Sequence, residues 1–305
     1  MSAGAVGMLS PGRAWLLASR PATLPAAAVP VLVGAAAAYS ESAAFRPLVF
    51  AATLACALLI QIGTNFANDY SDFHRGADHE GRLGPVRVTQ SGLISQAAVR
   101  RGIVVAFGIA ALLGAGLAAV GGWPIITIGM LAILSGLAYT GGPFPFGYYG
   151  LGDVFVFIFF GPIAVAGTAY LQHGQWSKYA MLLSIPVGLL TTNILVVNNL
   201  RDLPTDGVAG KRTLAVRLGD NATRLQYVIL AGLAYLVPAA LVLGHLSGYW
   251  LMLPWLTLPL AVSVVRRVTG GTSGRDLNPV LEASGKLLLA YGILLAIGTT
   301  LSRLG

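Results

Sequence analysis

The chain has 305 residues, of which 56% are hydrophobic and only 10% charged, with a mean hydropathy of +0.75. Ordinary soluble domains carry about 25% charged residues, so this composition excludes a soluble enzyme and a disordered chain alike. The net charge is +8, from 19 basic and 11 acidic residues, but no soluble basic domain is present to bind nucleic acid.

A crossing of the hydrocarbon core takes about 20 mostly apolar residues. Nine stretches are read as spans: 23–39, 47–67, 102–122, 123–139, 154–172, 179–199, 227–246, 249–265 and 283–301. Their apolar runs are continuous rather than alternating, which excludes a β-barrel. The predicted fold is all-α, a polytopic membrane protein of nine helices forming one integral-membrane domain over 1–305. Residues 1–19 read as an N-terminal cytoplasmic segment. Pro25 and Pro30 interrupt the first stretch, which does not resemble a cleavable signal peptide. Cys56 lies in an apolar run and is expected to pack as a small hydrophobe. Gly121-Gly122-Trp123-Pro124 predicts a tight hairpin between the third and fourth spans. The eighth span is short and is expected to tilt little or to sit partly in the interface.

With nine spans, 16 of the 19 basic residues fall on the side that holds the N-terminus. The positive-inside rule makes that side cytoplasmic and places the C-terminus outside. Ten of the 11 acidic residues fall on the same side, and only Glu41 does not. Acidic residues contribute little to topology, so insertion does not account for this bias.

Two acidic clusters stand out. Asn65, Asp69 and Asp72 follow one another at i, i+4 and i+7 on one helical face at the end of the second span, with Asn68 four before Asp72 and with Asp78 beyond Gly76. Asn198, Asp202 and Asp206 are spaced by four at the end of the sixth span. Asn68 and Asn198, and likewise Asp72 and Asp202, are 130 residues apart. That shared offset suggests two related halves facing each other. Mg²⁺ takes one or two carboxylates together with substrate phosphates and water. Asp69, Asp72, Asp202 and Asp206 are therefore candidate metal ligands. Arg75, Arg82, Arg87, Lys211 and Arg212 lie nearby as candidate partners for phosphate, with Asn65, Asn68 and Asn198 beside them. Each cluster alone also fits helix caps or solvated turns.

At these residues the chain resembles the UbiA superfamily of intramembrane prenyltransferases. Asn68-Asp69-Tyr70-Ser71-Asp72 through Asp78, Arg82 and Arg87 is similar to its first Asp-rich motif. Asn198-Asn199-Leu200-Arg201-Asp202 through Asp206, Lys211 and Arg212 is similar to the second, and Arg20-Pro21-Ala22-Thr23-Leu24-Pro25 resembles an N-terminal signature. The third acid of the first motif is displaced from Gly76 to Asp78, as in the MenA branch, which Tyr139-Thr140-Gly141-Gly142-Pro143 and Gly150-Leu151-Gly152-Asp153 also resemble. One departure is Pro204, which predicts that the helix ends near Asp202 or restarts there, leaving the role of Asp206 open.

The resemblance implies transfer of a polyprenyl group from polyprenyl diphosphate to 1,4-dihydroxy-2-naphthoate, with loss of CO₂ and diphosphate, to give demethylmenaquinone. It implies Mg²⁺, a membrane-lipid setting in the cell (inner) membrane, and a cytoplasmic active site. Asp69, Asp72, Asp78, Asp202, Asp206, Tyr139 and Asp153 become the catalytic candidates. Tyr139, Tyr148, Tyr149, Phe155 and Phe159 are candidates for lining an allylic cation; Tyr148 and Tyr149 fit interfacial anchoring equally well. Asp78 and Asp153 are candidate bases. Homogentisate or 4-hydroxybenzoate is the alternative acceptor. A transporter, whose acids would lie along a midplane path, fits less well.

Overall fold

A computed structural model of the protein describes residues 10–43, 45–76 and 83–303. Asp78 and Arg82, both candidate site residues, lie outside the described residues. Among those described, every regular element is helical. In chain order they are α1 (Pro11–Ser19), α2 (Pro25–Ser42), α3 (Pro47–His74), α4 (Gln96–Gly121), α5 (Trp123–Ala138), α6 (Gly152–His173), α7 (Lys178–Val208), α8 (Leu214–Leu218), α9 (Asp220–Leu243), α10 (Tyr249–Thr269) and α11 (Gly274–Leu301).

Local chemistry sets the helix ends. Proline opens α1, α2 and α3, where its missing N–H costs nothing. Ser95 caps α4 and Ser177 caps α7, each hydroxyl accepting a backbone N–H three residues on. Between α4 and α5 only Gly122 intervenes, at φ 70°, so the expected hairpin is present and as tight as the chain allows.

Each of the nine expected stretches falls on helix. Among the described residues, seven helices are long and apolar enough to cross a membrane, and α1 with α2, bent by 54° between them, makes an eighth if taken as one span. The 16-residue α5 is apolar but falls short of that length. The span expected to be short, α10, begins as 3₁₀ helix over Tyr249–Thr257. That form rises about 2.0 Å per residue instead of 1.5 Å and lengthens the element.

Pro204 does not end α7, which runs on to Val208 with Pro204 inside it. The early end expected there is corrected. Proline is tolerated within membrane helices because neighbouring groups re-satisfy the freed backbone. Asp206 thus stays one turn beyond Asp202 on the same face.

The helices fall into two regions about α2. On one side α7, α9, α10 and α11 pack with α2 and α6 around the main apolar core, which includes Val29, Val187, Tyr227, Leu251, Leu288 and Tyr291. Close approach there depends on glycine. A methyl group on Gly285 would fall on the Ala22 carbonyl, and one on Gly34 on the Val165 carbonyl. On the other side α2 to α6 surround a chamber of about 210 Å³, with α5 held mainly by α3 and α4. A π-helical turn at Phe159–Ile163 in α6, where Pro162 cannot donate, brings Phe159, Phe160 and Ile163 onto the chamber wall.

Candidate functional site

The ends of α3 and α7 face one polar pocket. Asn68, Asp72, Asn198, Asn199, Asp202, Asp206, Arg20, Arg87, Lys211, Tyr148, Thr140 and Tyr139 all line it. Both pairs separated by 130 residues therefore meet at the same cavity. At that offset Asp206 matches Gly76, so the two ends are related but unequal in charge.

Asp72 is buried and receives three donors. Arg87 Nη2 donates at 2.9 Å, Lys211 Nζ at 3.2 Å and the Tyr148 hydroxyl at 2.7 Å. Lys211 comes from the turn after α7, Tyr148 from the glycine-rich loop after α5, and Arg87 from the segment after α3. One carboxylate thus gathers three remote parts of the chain. Lys211 also sits 4.7 Å over the Tyr148 ring. Tyr148 is consequently part of the pocket, whereas Tyr149 is exposed and stacks on Phe144. The two tyrosines, equivalent in the sequence reading, separate here.

Asp69 is turned elsewhere. Its two oxygens accept the backbone N–H groups of Val88 and Thr89, at 3.2 and 3.0 Å, and it does not line the pocket. With Arg87 on Asp72 and the Asn278 amide on the Leu83 carbonyl, residues 83–89 form a strap pinned at three points. Asn65 is also structural in its contacts, donating to the Ser19 carbonyl at 2.9 Å where α1 bends into α2. Arg75 is exposed and bonds the Gly142 carbonyl. Arg212 is exposed as well, and it is its backbone N–H that reaches the Tyr148 carbonyl. Asn68 accepts from the buried Thr140 hydroxyl.

Asp202 is paired with its neighbour Arg201, whose Nε and Nη2 meet its two oxygens at 2.8 and 2.5 Å. Arg201 stood in the second motif without a role of its own, and its remote partner, Asn278, could not be read from its neighbourhood in the sequence. Arg20, at φ 52°, lines the pocket too, and its place at the α1–α2 bend was legible only as part of a signature.

Tyr139 lines both the polar pocket and the apolar chamber. From it an aromatic series descends the chamber: Phe146 edge-on at 5.4 Å, Phe155 stacked on Phe146 at 4.1 Å, then Phe159 at 6.1 Å. Phe146 was missed because its loop gives no periodic signal. Asp153, at the start of α6, lines neither cavity. Gln226 donates to its Oδ1 at 2.9 Å, and its buried Oδ2 has no hydrogen-bond partner among the described residues.

The donor set suits a hard cation, since carboxylate and amide oxygens dominate. Among the described residues no group of three acids, cysteines or histidines forms a closed metal cage.

Comparison with known proteins agrees with this geometry. The chain is 39% identical over 283 residues to a 1,4-dihydroxy-2-naphthoate octaprenyltransferase of Mycobacterium tuberculosis, covering 92% of this chain and 95% of that protein. It is 37% identical to the enzyme of the same name from Escherichia coli, covering 97% of each. It is 31% identical to human UbiA prenyltransferase domain-containing protein 1, covering 97% of this chain and 88% of that one. In fold it is similar to a UbiA homolog from Archaeoglobus fulgidus bound to DMAPP and Mg²⁺, with a TM-score of 0.64, 14% identity, and coverage of 93% and 99%. The UbiA prenyltransferase family profile matches residues 27–278. The chain belongs to the UbiA prenyltransferase family.

Proposed function

We propose that this protein transfers a polyprenyl group from polyprenyl diphosphate to 1,4-dihydroxy-2-naphthoate, with loss of CO₂ and diphosphate, in menaquinone biosynthesis. The observation that carries this reading is a carboxylate-lined polar pocket joined through Tyr139 to a long apolar chamber. A diphosphate head and a prenyl tail need those two surroundings side by side. The naphthoate acceptor is supported by five near-full-length relatives that share that name.

Asp72, Asp202 and Asp206, with the Asn68 and Asn198 amides, would hold Mg²⁺ together with the diphosphate. A bound divalent metal supplies Lewis-acid neutralisation of the charge that develops on the departing diphosphate. Arg87 and Lys211, which pair with Asp72, are placed to turn to the phosphate oxygens, and Arg20 adds positive charge on the opposite wall. Asp69 contributes by holding the strap that presents Arg87. The allylic C–O bond breaks beside Tyr139, and the aromatic series gives the cation a dry, electron-rich wall. A new C–C bond then forms to the naphthoate ring, and the carboxylate leaves as CO₂. Asp153, buried at the start of α6, is the proposed acceptor of the ring hydroxyl proton. Nine crossings, a cytoplasmic N-terminus and site, and the cell membrane as location complete the reading.

Purified protein supplied with polyprenyl diphosphate, Mg²⁺ and each candidate acceptor tests it. Prenylated naphthohydroquinone, read as the quinone after oxidation by air, is expected with dihydroxynaphthoate. Turnover of homogentisate or 4-hydroxybenzoate with none of dihydroxynaphthoate would overturn the assignment of acceptor.

A further inference from the structure

A guanidinium inside a membrane protein is costly to bury unless it is fully paired. Arg201 is 1% exposed and heads the largest fully buried side chains among the described residues. Its fork is used on every side. Nε and Nη2 grip both oxygens of Asp202, Nη2 also reaches the Asn198 amide oxygen at 2.9 Å, and Nη1 reaches the Asn278 amide oxygen at 3.0 Å. Asn278 then donates through its own amide nitrogen to the Leu83 carbonyl at 3.1 Å. One chain of bonds thus runs from the pocket wall, through α7 and the start of α11, to the strap that carries Arg87.

Asp72 and Asp202 differ in how they are balanced. The cations on Asp72, Arg87 and Lys211, line the pocket and can reach an incoming phosphate. Arg201 does not line it and sits behind Asp202. We infer that Arg201 and Asn278 are positioning residues for the diphosphate end of the prenyl donor: Arg201 fixes Asp202 and Asn198 from behind, and Asn278 keys that arrangement to the docked strap. The inference rests on the diphosphate site proposed above. It requires the planar fork, because an ammonium makes point contacts and cannot hold a carboxylate and two amides at set angles.

Arg201→Lys and Asn278→Ala test this without chemistry as the sole readout. Binding of inorganic diphosphate with Mg²⁺ is measured by calorimetry on detergent-purified protein, with thermal unfolding and amide exchange at Val88 and Thr89 followed in parallel. Arg201→Lys is expected to weaken binding at least tenfold. Asn278→Ala is expected to weaken it several-fold and to speed exchange at Val88 and Thr89 selectively. In both variants KM for the polyprenyl diphosphate should rise more than kcat falls. If wild-type protein binds and both variants bind equally well, the relay is overturned. It is also overturned if binding falls only in step with melting temperature and exchange rises uniformly. Wild-type protein that fails to bind magnesium diphosphate overturns the site itself.

Discussion

On one side of α2 glycines bring helix backbones together, and on the other, although Gly136 packs α5 against Thr64 of α3, two chamber glycines face open space. Gly34 and Gly285 bring backbones so close that a single added carbon would land on a neighbouring carbonyl. Gly161 on α6 is also close to α7, with an added Cβ 3.0 Å from the Ser184 carbonyl and 3.1 Å from Gly188. Across α2, Gly114 and Gly129 line the chamber, and a Cβ on either would meet nothing within 4 Å. The same residue therefore serves cohesion in one region and volume in the other. In lipid, helix association depends on such close packing, because apolar surface alone gains little from burial among lipid tails. The tight region holds the fold so that the loose one can stay hollow.

The largest expected effects lie where the regions meet. Asp72→Ala and Asp202→Ala should each lower turnover by a factor on the order of 10² or more while the protein still inserts, as judged by product formation and membrane yield. Full activity in both would dissolve the shared pocket. Chelation of divalent metal should stop turnover, and restored Mg²⁺ should rescue it.

Next comes the hollow region. Gly129→Phe should fill the chamber and cut turnover of a long-tailed diphosphate roughly 10- to 200-fold relative to geranyl diphosphate. An equal loss for both donors would show that the chamber does not hold the tail. In the tight region Gly34→Ala should cost about 1–3 kcal/mol from overpacking, read as a lower unfolding temperature in detergent. The smallest effect closes the comparison. Gly129→Ala should change stability by no more than about 0.5 kcal/mol, since the added carbon meets no neighbour. If Gly34→Ala proved as harmless, the contrast between the regions would fail.

Much of this was legible in the sequence. Hydropathy located the longer helices but not the short α1 and α8, and the offset of 130 residues brought Asn68, Asp72, Asn198 and Asp202 to one place. Spacing reports which face of a helix a side chain occupies, and this suffices when the face is turned to a cavity. It does not report the partner. Asp69 and Asp72 sit in the same motif, yet one holds backbone amides of the strap and the other holds the pocket's cations. Arg201 looked like one more topogenic charge, because the amide that completes its setting lies 77 residues away. Pro204 left two readings open, an end or a restart, and neither holds: it lies exposed near the end of α7, which runs on through it to Val208.

Tyr139 belongs to both cavities, and in the proposed reaction cleavage beside it leads to a diphosphate and a prenylated ring of opposite solubility. Diphosphate is retained by cations on one side of the ring, and the prenylated ring belongs to the hydrocarbon on the other. Each is drawn away from its counterpart as soon as it forms. The boundary that brings the substrate halves together thus also works as a sorter, and recombination requires both products to return to an interface that neither prefers.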